Sequence, residues 1–554
     1  MSTALLVTIL LSGVMFVCVA YGLSVWLASR WLSVPNVPLS RAMVAGCLMV
    51  LATFVIQLSA SWLLGDIALN PLLSALVVLA LIVVVHVTVV QRAIRAPIRR
   101  AFMVWLISIP VSLGPSFVVS WAIRATCLEA FVIPTGGMAP TMFGLHVEKT
   151  CEECGWTYVV GTSYRSRDWP GFGEDNRDSY CENCGHENRL TDQEQLIFGD
   201  RILVDKTSQP KRWDHAVFYH SPQAQWPHER DGPDPAYVKR LVGLPGETVA
   251  IKQGDVFINE KRLAKPPGIA EELWFFFHDT KRAAEYPSEY ALHWQPVENE
   301  HWTSGDGGAW SCEASGEASP ELQFSSEILD WNSYNPDTTH LGLRPPQPVR
   351  DVRLTCQLAA LSGDGRFEIV RQFEDLRVKA AISAAGKVSL VATKEPSDSG
   401  DDNKATPIEL ASKDGQLSTP VSSIVFAIRD GQAYAVQDRE VVVSISVCKG
   451  EVFSELQHYW REPEDRLSLV AHDCKVAIDR MVLERDVYYL SAMEVGMHDS
   501  LPAVLELGDN EYFMLGDNSP SSSDSRYWGA VTEDKLIGVA RWCYWPFSRC
   551  RELK

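Results

Sequence analysis

Charge is what the first 125 residues have least of: they hold one acid, Asp66, and seven arginines among long apolar runs, although the 554-residue chain carries a formal net charge of −19. All of the net acidity therefore lies in the remainder, and a segment this poor in charge cannot form the surface of a water-soluble domain. Four of its runs, about Ala4 to Leu27, Ala42 to Leu64, Leu72 to Val90 and Phe102 to Ile123, reach the roughly 20 apolar residues a bilayer crossing needs. They predict four transmembrane helices within residues 1–125. The first run also lacks a basic start and is long for the apolar part of a cleaved signal peptide, which remains the alternative reading of it. No repeat at a fixed period is present, which excludes a solenoid or a propeller. The chain is too long for one core, so two or more folding units are expected besides the membrane region.

Arg92, Arg95, Arg99 and Arg100 form the densest cationic connection, and such connections stay in the cytoplasm. Arg30 and Arg41 then fall on the same side, Gly65 to Pro71 with Asp66 on the other, and the fourth helix carries Thr126 onward out of the cytoplasm. Membrane lipid is thus the first expected partner.

Beyond the last span, Phe131-Val-Ile-Pro-Thr-Gly-Gly-Met-Ala-Pro-Thr141 is expected to be extended, because Pro134 and Pro140 disfavour helix. Gly199 to Lys206 alternates as a half-buried strand does, and Tyr237 to Val249 gives two β-rich runs around a Gly-Leu-Pro-Gly turn. Val249 to Asn259 continues as a hairpin, and Tyr512 to Asn518 leads into a serine-rich turn before Asp524 to Gly529. Two segments interrupt this series. One, residues 147–195, carries two Cys-x-x-Cys pairs. The other, residues 265–485, holds the alternating runs Val352 to Leu358, Phe367 to Phe373, Leu376 to Ile382, Val388 to Val391, Ile424 to Ile428 and Val441 to Val447, which predict an independent β-sandwich. The acidic tract Pro396 to Lys404 is expected as a solvated loop within it. Residues 126–146, 196–264 and 486–554 are left to build one β domain around the two insertions. Trp294, Trp302, Trp310 and Trp331 either fill the sandwich core or stack on sugars.

Cys151-Glu-Glu-Cys154-Gly and Cys181-Glu-Asn-Cys184-Gly are two knuckles spaced as a structural zinc ribbon requires, with Gly155 and Gly185 supplying the tight turns. Two disulfides compete with zinc outside the cytoplasm, but a Cys-x-x-Cys pair suits a metal better than a structural disulfide. The acidic surroundings offer no basic stripe, so no nucleic-acid partner is expected. Cys127, Cys312, Cys356, Cys448, Cys474, Cys543 and Cys550 are scattered, an odd number that cannot all pair within the chain; a Cys543–Cys550 bridge across Pro546 stays open.

Four blocks in order, Ile133 to Thr141, Gly199 to Lys206, Val238 to Glu247 and Gly516 to Gly529, resemble the type I signal peptidase family (signal peptidase I), Ser/Lys membrane serine endopeptidases. The resemblance implies a signal-peptidase-like β fold, a multi-pass place in the cell's inner membrane with the C-terminal region exported, signal peptides or preproteins as substrates, and no cofactor for catalysis. It places Lys239 as general base, Thr135 as oxyanion donor, Ser522 as the residue that orients the lysine, Asp524 and Arg526 as a supporting ion pair, and Met138 and Pro140 against substrate. Ser519, Pro520 and Ser521 depart from the family's charged turn. The slot for the nucleophile, directly before Met138, is Gly137. A serine hydroxyl activated by a neutral, buried lysine is the family's chemistry, and glycine has no hydroxyl. Thr135, two residues earlier, faces the same side if the segment is extended, but lies about 6 to 7 Å away along a strand. Two functions follow: a membrane serine endopeptidase that removes signal peptides, or a membrane-anchored binding module that keeps the groove and no longer cuts. In a third, the sandwich dominates by binding carbohydrate or a surface partner.

Overall fold

The computed structural model describes residues 3–63, 71–161, 178–190, 194–220, 234–288, 294–297, 301–316, 318–335, 346–394, 408–447, 465–491 and 504–554. The chain divides into two compact units, Met1–Glu129 with Asp205–Ser208, and Ala130–Val204 with Gln209–Lys554.

The first unit holds four helices, α1 (Thr3–Trp31), α2 (Leu39–Leu63), α3 (Pro71–Ile94) and α4 (Ile98–Thr126). Each contains a stretch long and apolar enough to cross a membrane: Ser12–Trp31, Leu39–Gln57, Leu76–Ile94 and Ile98–Thr126. Phe54, Leu81, Phe117 and Trp121 are exposed on these helices, as lipid-facing side chains are and water-facing ones are not. The chain is a multi-pass membrane protein. The arginine connection is shorter than expected: only Arg95, Ala96 and Pro97 separate α3 from α4, while Arg92, Arg99 and Arg100 ride on the helix ends. Inside the bundle, His86 is buried and fully partnered. Trp105 Nε1 donates to its Nδ1 at 3.4 Å, and an indole only donates, so Nε2 carries the proton and faces the Met49 carbonyl at 3.0 Å and Thr53 Oγ1 at 2.8 Å. That ring stitches α2, α3 and α4 together.

The second unit is mainly β. Its central sheet runs, in spatial order, through Arg201–Asp205, Leu536–Trp545, His215–Tyr219, Ala236–Gly243, Glu511–Leu515 and Val531–Thr532. A four-stranded sheet, in the order Lys261–Arg262, Asp255–Ile258, Thr248–Lys252 and Val504–Glu506, lies beside it in sequence. The strand-forming runs read from the alternation at 199–206, 237–249 and 249–259 all lie in these two sheets.

Between Ile258 and Val504 the chain builds two further sheets, of eight and seven strands, which share one apolar core. The cause is visible in single strands: in Leu376–Ser383 the alternate residues Val378, Ala380 and Ile382 face inward, and in Lys387–Lys394 Val388, Leu390 and Ala392 do. Each such Val, Leu or Ile contributes about 1.5–3 kcal/mol by leaving water. Trp294 and Trp302 are in this core, 2% and 4% exposed, so these two rings fill the sandwich and are not open to a sugar, while Trp310 lies half-buried against it. Trp331 meets Tyr180 edge-on at 6.4 Å. The tract Pro396 to Lys404 and Cys448 lie outside the described residues.

Candidate functional site

Lys239 sits in the strand Ala236–Gly243, hydrogen-bonded on one side to His215–Tyr219 and on the other to Glu511–Leu515, so its side chain leaves the middle of a sheet. It is 5% exposed, and Nζ donates to Ser522 Oγ at 2.7 Å. Burial, which penalises the ammonium, pushes the lysine from its usual 10.5 down to about 8, against the nearby Asp524 carboxylate, which raises it. Ser522 follows a short turn, Ser519–Ser521, and lies two residues before the cap of the helix Ser525–Trp528. That cap is Asp524. It accepts a two-pronged pair from Arg526, Nε at 2.8 Å and Nη2 at 2.7 Å, and a third bond from the Gly516 N–H at 2.9 Å. Both partners are buried, and the guanidinium also reaches Ser519 Oγ at 2.9 Å and the Ser519 carbonyl at 2.9 Å. Lys239, Ser522, Asp524 and Arg526, remote in sequence, therefore meet in one place.

Gly137 joins them. A Cβ built on it would lie 2.6 Å from Lys239 Nζ and 3.4 Å from Ser522 Oγ, so the missing side chain points straight at the amine. The amine is the free end of a flexible chain and can give way.

The surrounding segment differs from its expected shape. The strand ends at Val132, a bend follows at Thr135, and residues 137–142 turn, closed by bonds from Ala139 N to the Gly136 carbonyl at 2.9 Å and from Met142 N to the Met138 carbonyl at 2.8 Å. Two prolines disfavour α-helix without forbidding turns. The same-side relation of Thr135 to residue 137 lapses with the extended geometry: Thr135 is exposed on the bend while Lys239 is buried. Met138, 1% exposed, is in a core cluster with Ile133, Met142 and Ile202, and Pro140 is half-buried.

Three features escaped sequence reasoning. Arg240, next to the lysine, makes a second buried two-pronged pair, with Asp517 at 2.8 and 2.7 Å, and donates to His215 Nε2 at 2.9 Å. Burial and that guanidinium keep His215 well below the usual histidine range. Asn518 holds the other side of the glycine loop: its Nδ2 donates to the Gly136 carbonyl at 2.9 Å and its backbone N–H to the Gly137 carbonyl at 3.2 Å. Only the adjacency of Arg240 to Lys239 and of Asp517 and Asn518 to Gly516 signalled a role.

The four ribbon cysteines offer sulfurs that all lie within 4.8 Å of one another. Cys151 and Cys184 are 3.7 Å apart, as are Cys154 and Cys181, so neither is a disulfide. Gly155 and Gly185 adopt φ of 77° and 73° and close the two knuckles back on the Cys151 and Cys181 carbonyls at 3.0 and 2.8 Å. Asn183 N–H and the Asn188 amide point at Cys181 and Cys151 sulfur at 3.4 and 3.5 Å, as groups that stabilise thiolates do. Burial pushes the Cys184 thiol up to about 12 and Cys181 further, while at Cys151 burial is outweighed by backbone and Asn188 N–H donors. Four thiolates this close need a cation, so the donor set fits a tetrahedral metal. Cys543 and Cys550 are not bridged; their thiols meet the carbonyls of Trp545 and Pro546.

A second cluster, Asp255, Asp351 and Asp430, has matching cations. Arg350 reaches Asp255 at 2.9 Å and Asp351 at 2.6 Å, Arg262 reaches Asp255 at 2.9 Å, and Lys265 binds Asp430 and, at 2.8 Å, Asp486. This hub ties the small sheet to the sandwich. Lys265→Met is expected to cost about 3–5 kcal/mol in urea unfolding, because it removes the cation the buried Asp486 and Asp430 share, leaving Asp430 with Arg429 at 3.5 Å; an unchanged midpoint would mean they protonate freely.

The model of the family "Signal peptidase, peptidase S26" matches residues 191–298 and 469–545. Those stretches include Lys239 and the Gly516–Gly529 turn and leave out the Gly137 loop. Signal peptidase I of Buchnera aphidicola subsp. Schizaphis graminum is 32% identical over 91 residues, 16% of this chain and 27% of that protein. Signal peptidase I of Leptolyngbya laminosa is 36% identical over 81 residues, 13% of this chain and 39% of that protein. The chain thus matches well under two thirds of these relatives' length. Among solved structures, the Crh5 transglycosylase in complex with NAG shares 12% identity, covering 43% of this chain and 86% of that one at a TM-score of 0.23, too slight a likeness to assign anything. Over the strand that carries Lys239 and the turn that carries Ser522, Asp524 and Arg526, the chain is similar to the S26 signal peptidases.

Proposed function

We propose that this chain is a membrane-anchored, signal-peptide-binding pseudopeptidase: it keeps the signal-peptidase groove on the exported side of the inner membrane and has lost its cutting atom. The observation that carries this reading is the direction of the missing Gly137 side chain, 2.6 Å from a lysine whose pKa burial has brought to about 8. Base, orienting hydroxyl and supporting pair are assembled around a position with nothing to activate. In a serine protease, loss of the nucleophile alone costs about six orders of magnitude, leaving roughly 10³ to 10⁴ over water. Binding has no such dependence, since an extended signal peptide is recognised by backbone pairing at a sheet edge and by small side-chain pockets. The roles of Thr135 as oxyanion donor and of Pro140 as a substrate contact belong to this proposal, as does the backbone N–H of residue 137, which survives without a side chain; Met138, expected against substrate, is buried in the core cluster and supports the loop from behind.

The test is fluorescence anisotropy of a labelled synthetic signal peptide with the full-length protein in lipid nanodiscs. Saturable binding, competed by unlabelled signal peptide and not by a scrambled one, is expected. Absence of saturation removes the reading.

The ribbon is proposed to hold one structural zinc through Cys151, Cys154, Cys181 and Cys184. Elemental analysis is expected to give one zinc per chain, lost in Cys181→Ser, with a lower melting temperature after chelation. A chain purified without zinc and equally stable would show the thiols suffice. The sandwich is left with a protein or surface partner as its proposed ligand.

A further inference from the structure

Both insertions converge on the glycine loop, through a short segment that follows the sandwich strand Glu321–Phe324. Its Tyr334 is 4% exposed. A Cβ added at Gly136 would lie 2.0 Å from Tyr334 Cε1, and one at Gly161, the last residue of a ribbon strand, 2.1 Å from the same atom, so the ring slides between two glycines. It stacks on Phe143 at 5.4 Å, its hydroxyl accepts from Gly144 N at 3.1 Å and donates to the Leu145 carbonyl at 3.2 Å, and its own carbonyl accepts from Gly161 N at 2.7 Å. The next residue, Asn335, makes a reciprocal amide pair with Asn518 at 2.8 and 2.7 Å. Asn518 is the residue that grips the carbonyls of Gly136 and Gly137.

A trans peptide sets its N–H opposite its carbonyl. Fixing the Gly136 carbonyl on Asn518 therefore aims the Gly137 N–H away from that amide.

The residue before Tyr334 leads to the metal site. Ser333 Oγ donates at 3.1 Å to Glu182, which lies inside the second cysteine knuckle. The other oxygen of Glu182 accepts from Arg282 at 2.7 Å and from Trp156 Nε1 at 3.2 Å, and Arg282 stacks on Trp156 at 4.2 Å. Asn183, in the same knuckle, donates to the Tyr286 carbonyl at 2.9 Å. A knuckle keeps this shape while four thiolates share a cation, and loses that restraint when the cation is removed.

We propose, resting on the binding function above, that Glu182, Tyr334 and Asn335 are positioning residues that make groove affinity for signal peptides depend on the ribbon metal. The metal fixes the knuckle, the knuckle holds Ser333, and Tyr334 with Asn335 sets the peptide planes at Gly136 and Gly137. Each insertion acts through the loop.

The test uses the full-length protein in nanodiscs in three forms: zinc-loaded, stripped of zinc by a chelator with the loss verified, and the zinc-loaded Glu182→Gln variant, in which all four thiolates remain. Hydrogen exchange of residues 133–146 is read alongside the affinity for a labelled signal peptide. Stripping and Glu182→Gln are both expected to speed exchange across 133–146 and to weaken the peptide about tenfold, with Glu182→Gln keeping its zinc. Zinc-loaded Asn335→Ala is expected to free the loop while the ribbon stays protected. Faster exchange confined to 147–190 on stripping, a Glu182→Gln protein identical to wild type, or a wild type that binds no metal overturns the proposal. If zinc-loaded wild type binds no signal peptide, the binding function is what fails, and the exchange data still decide the linkage.

Discussion

Under the proposed function, Gly137→Ser is expected to turn a protein that binds signal peptides into one that cleaves them. The Cβ vector already points at Lys239 Nζ, and a hydroxyl one bond further on would come within hydrogen-bond reach of the amine after a small retreat of the lysine's flexible end. Glycine 137 is not among the residues with positive φ, so an L side chain fits its backbone. Ser522 keeps the lysine in place through its 2.7 Å bond, and the Asp524–Arg526 pair keeps Ser522 in place. Restoring a nucleophile to an otherwise assembled dyad is worth up to about 10⁶ in turnover, so a gain of even 10³ would be unmistakable. Because the base works only when neutral, the engineered activity should climb with pH through about 8. It should vanish in Gly137→Ser/Lys239→Ala. Preprotein processing followed by mass spectrometry, at pH 6 to 9, reads both. A Gly137→Ser protein as silent as wild type would mean that the loop no longer presents residue 137 to a substrate carbonyl.

Lys239→Met is expected to stabilise the protein at neutral pH, the reverse of the usual outcome for a buried residue. The unfolded lysine titrates at 10.5 and the folded one at about 8. Between those values the unfolded chain holds a proton that the folded chain lacks, so stability rises with pH across the window and the whole penalty is felt below it. One pH unit is worth about 1.4 kcal/mol, which makes the penalty roughly 3 kcal/mol at pH 7. Methionine removes it and strands the Ser522 hydroxyl at a cost of about 1 kcal/mol, leaving a net gain of about 2 kcal/mol. Urea midpoints of wild type and variant, compared at pH 7 and near 10.5, should differ at the first and converge or cross at the second. A variant that is less stable by the same amount at both values would show that Lys239 carries no burden of charge.

The reach of the sequence follows the range of the forces involved. Hydropathy is local, so the four helices, the strands of the sandwich and the two cysteine knuckles could be read from runs of a few residues. Lys239 and Ser522 stood out because their flanking blocks resemble a known family. The Tyr334 slot and the Asn335–Asn518 pair could not be read, because they join segments remote in sequence, as in the Asn335–Asn518 pair, 183 positions apart, and the Tyr334–Gly144 bond, 190 positions apart. The stretch around Gly137 was misread as extended for a related reason. Prolines state what backbone shapes are disfavoured, whereas the turn at 137–142 is selected by what packs on it: Met138 and Met142 in the core cluster and Tyr334 against Gly136. The tryptophans of the sandwich show the same limit, since ring chemistry alone does not distinguish a core residue from a sugar platform, and burial does.

The measurement that bears most directly on this account is the cleavage assay of unaltered protein. Purified full-length chain in nanodiscs, incubated with a preprotein whose signal peptide it binds, should leave that preprotein intact by mass spectrometry while anisotropy reports the complex. Release of the mature protein at an enzymatic rate, abolished by Lys239→Ala, would show that a nucleophile other than residue 137 serves this site.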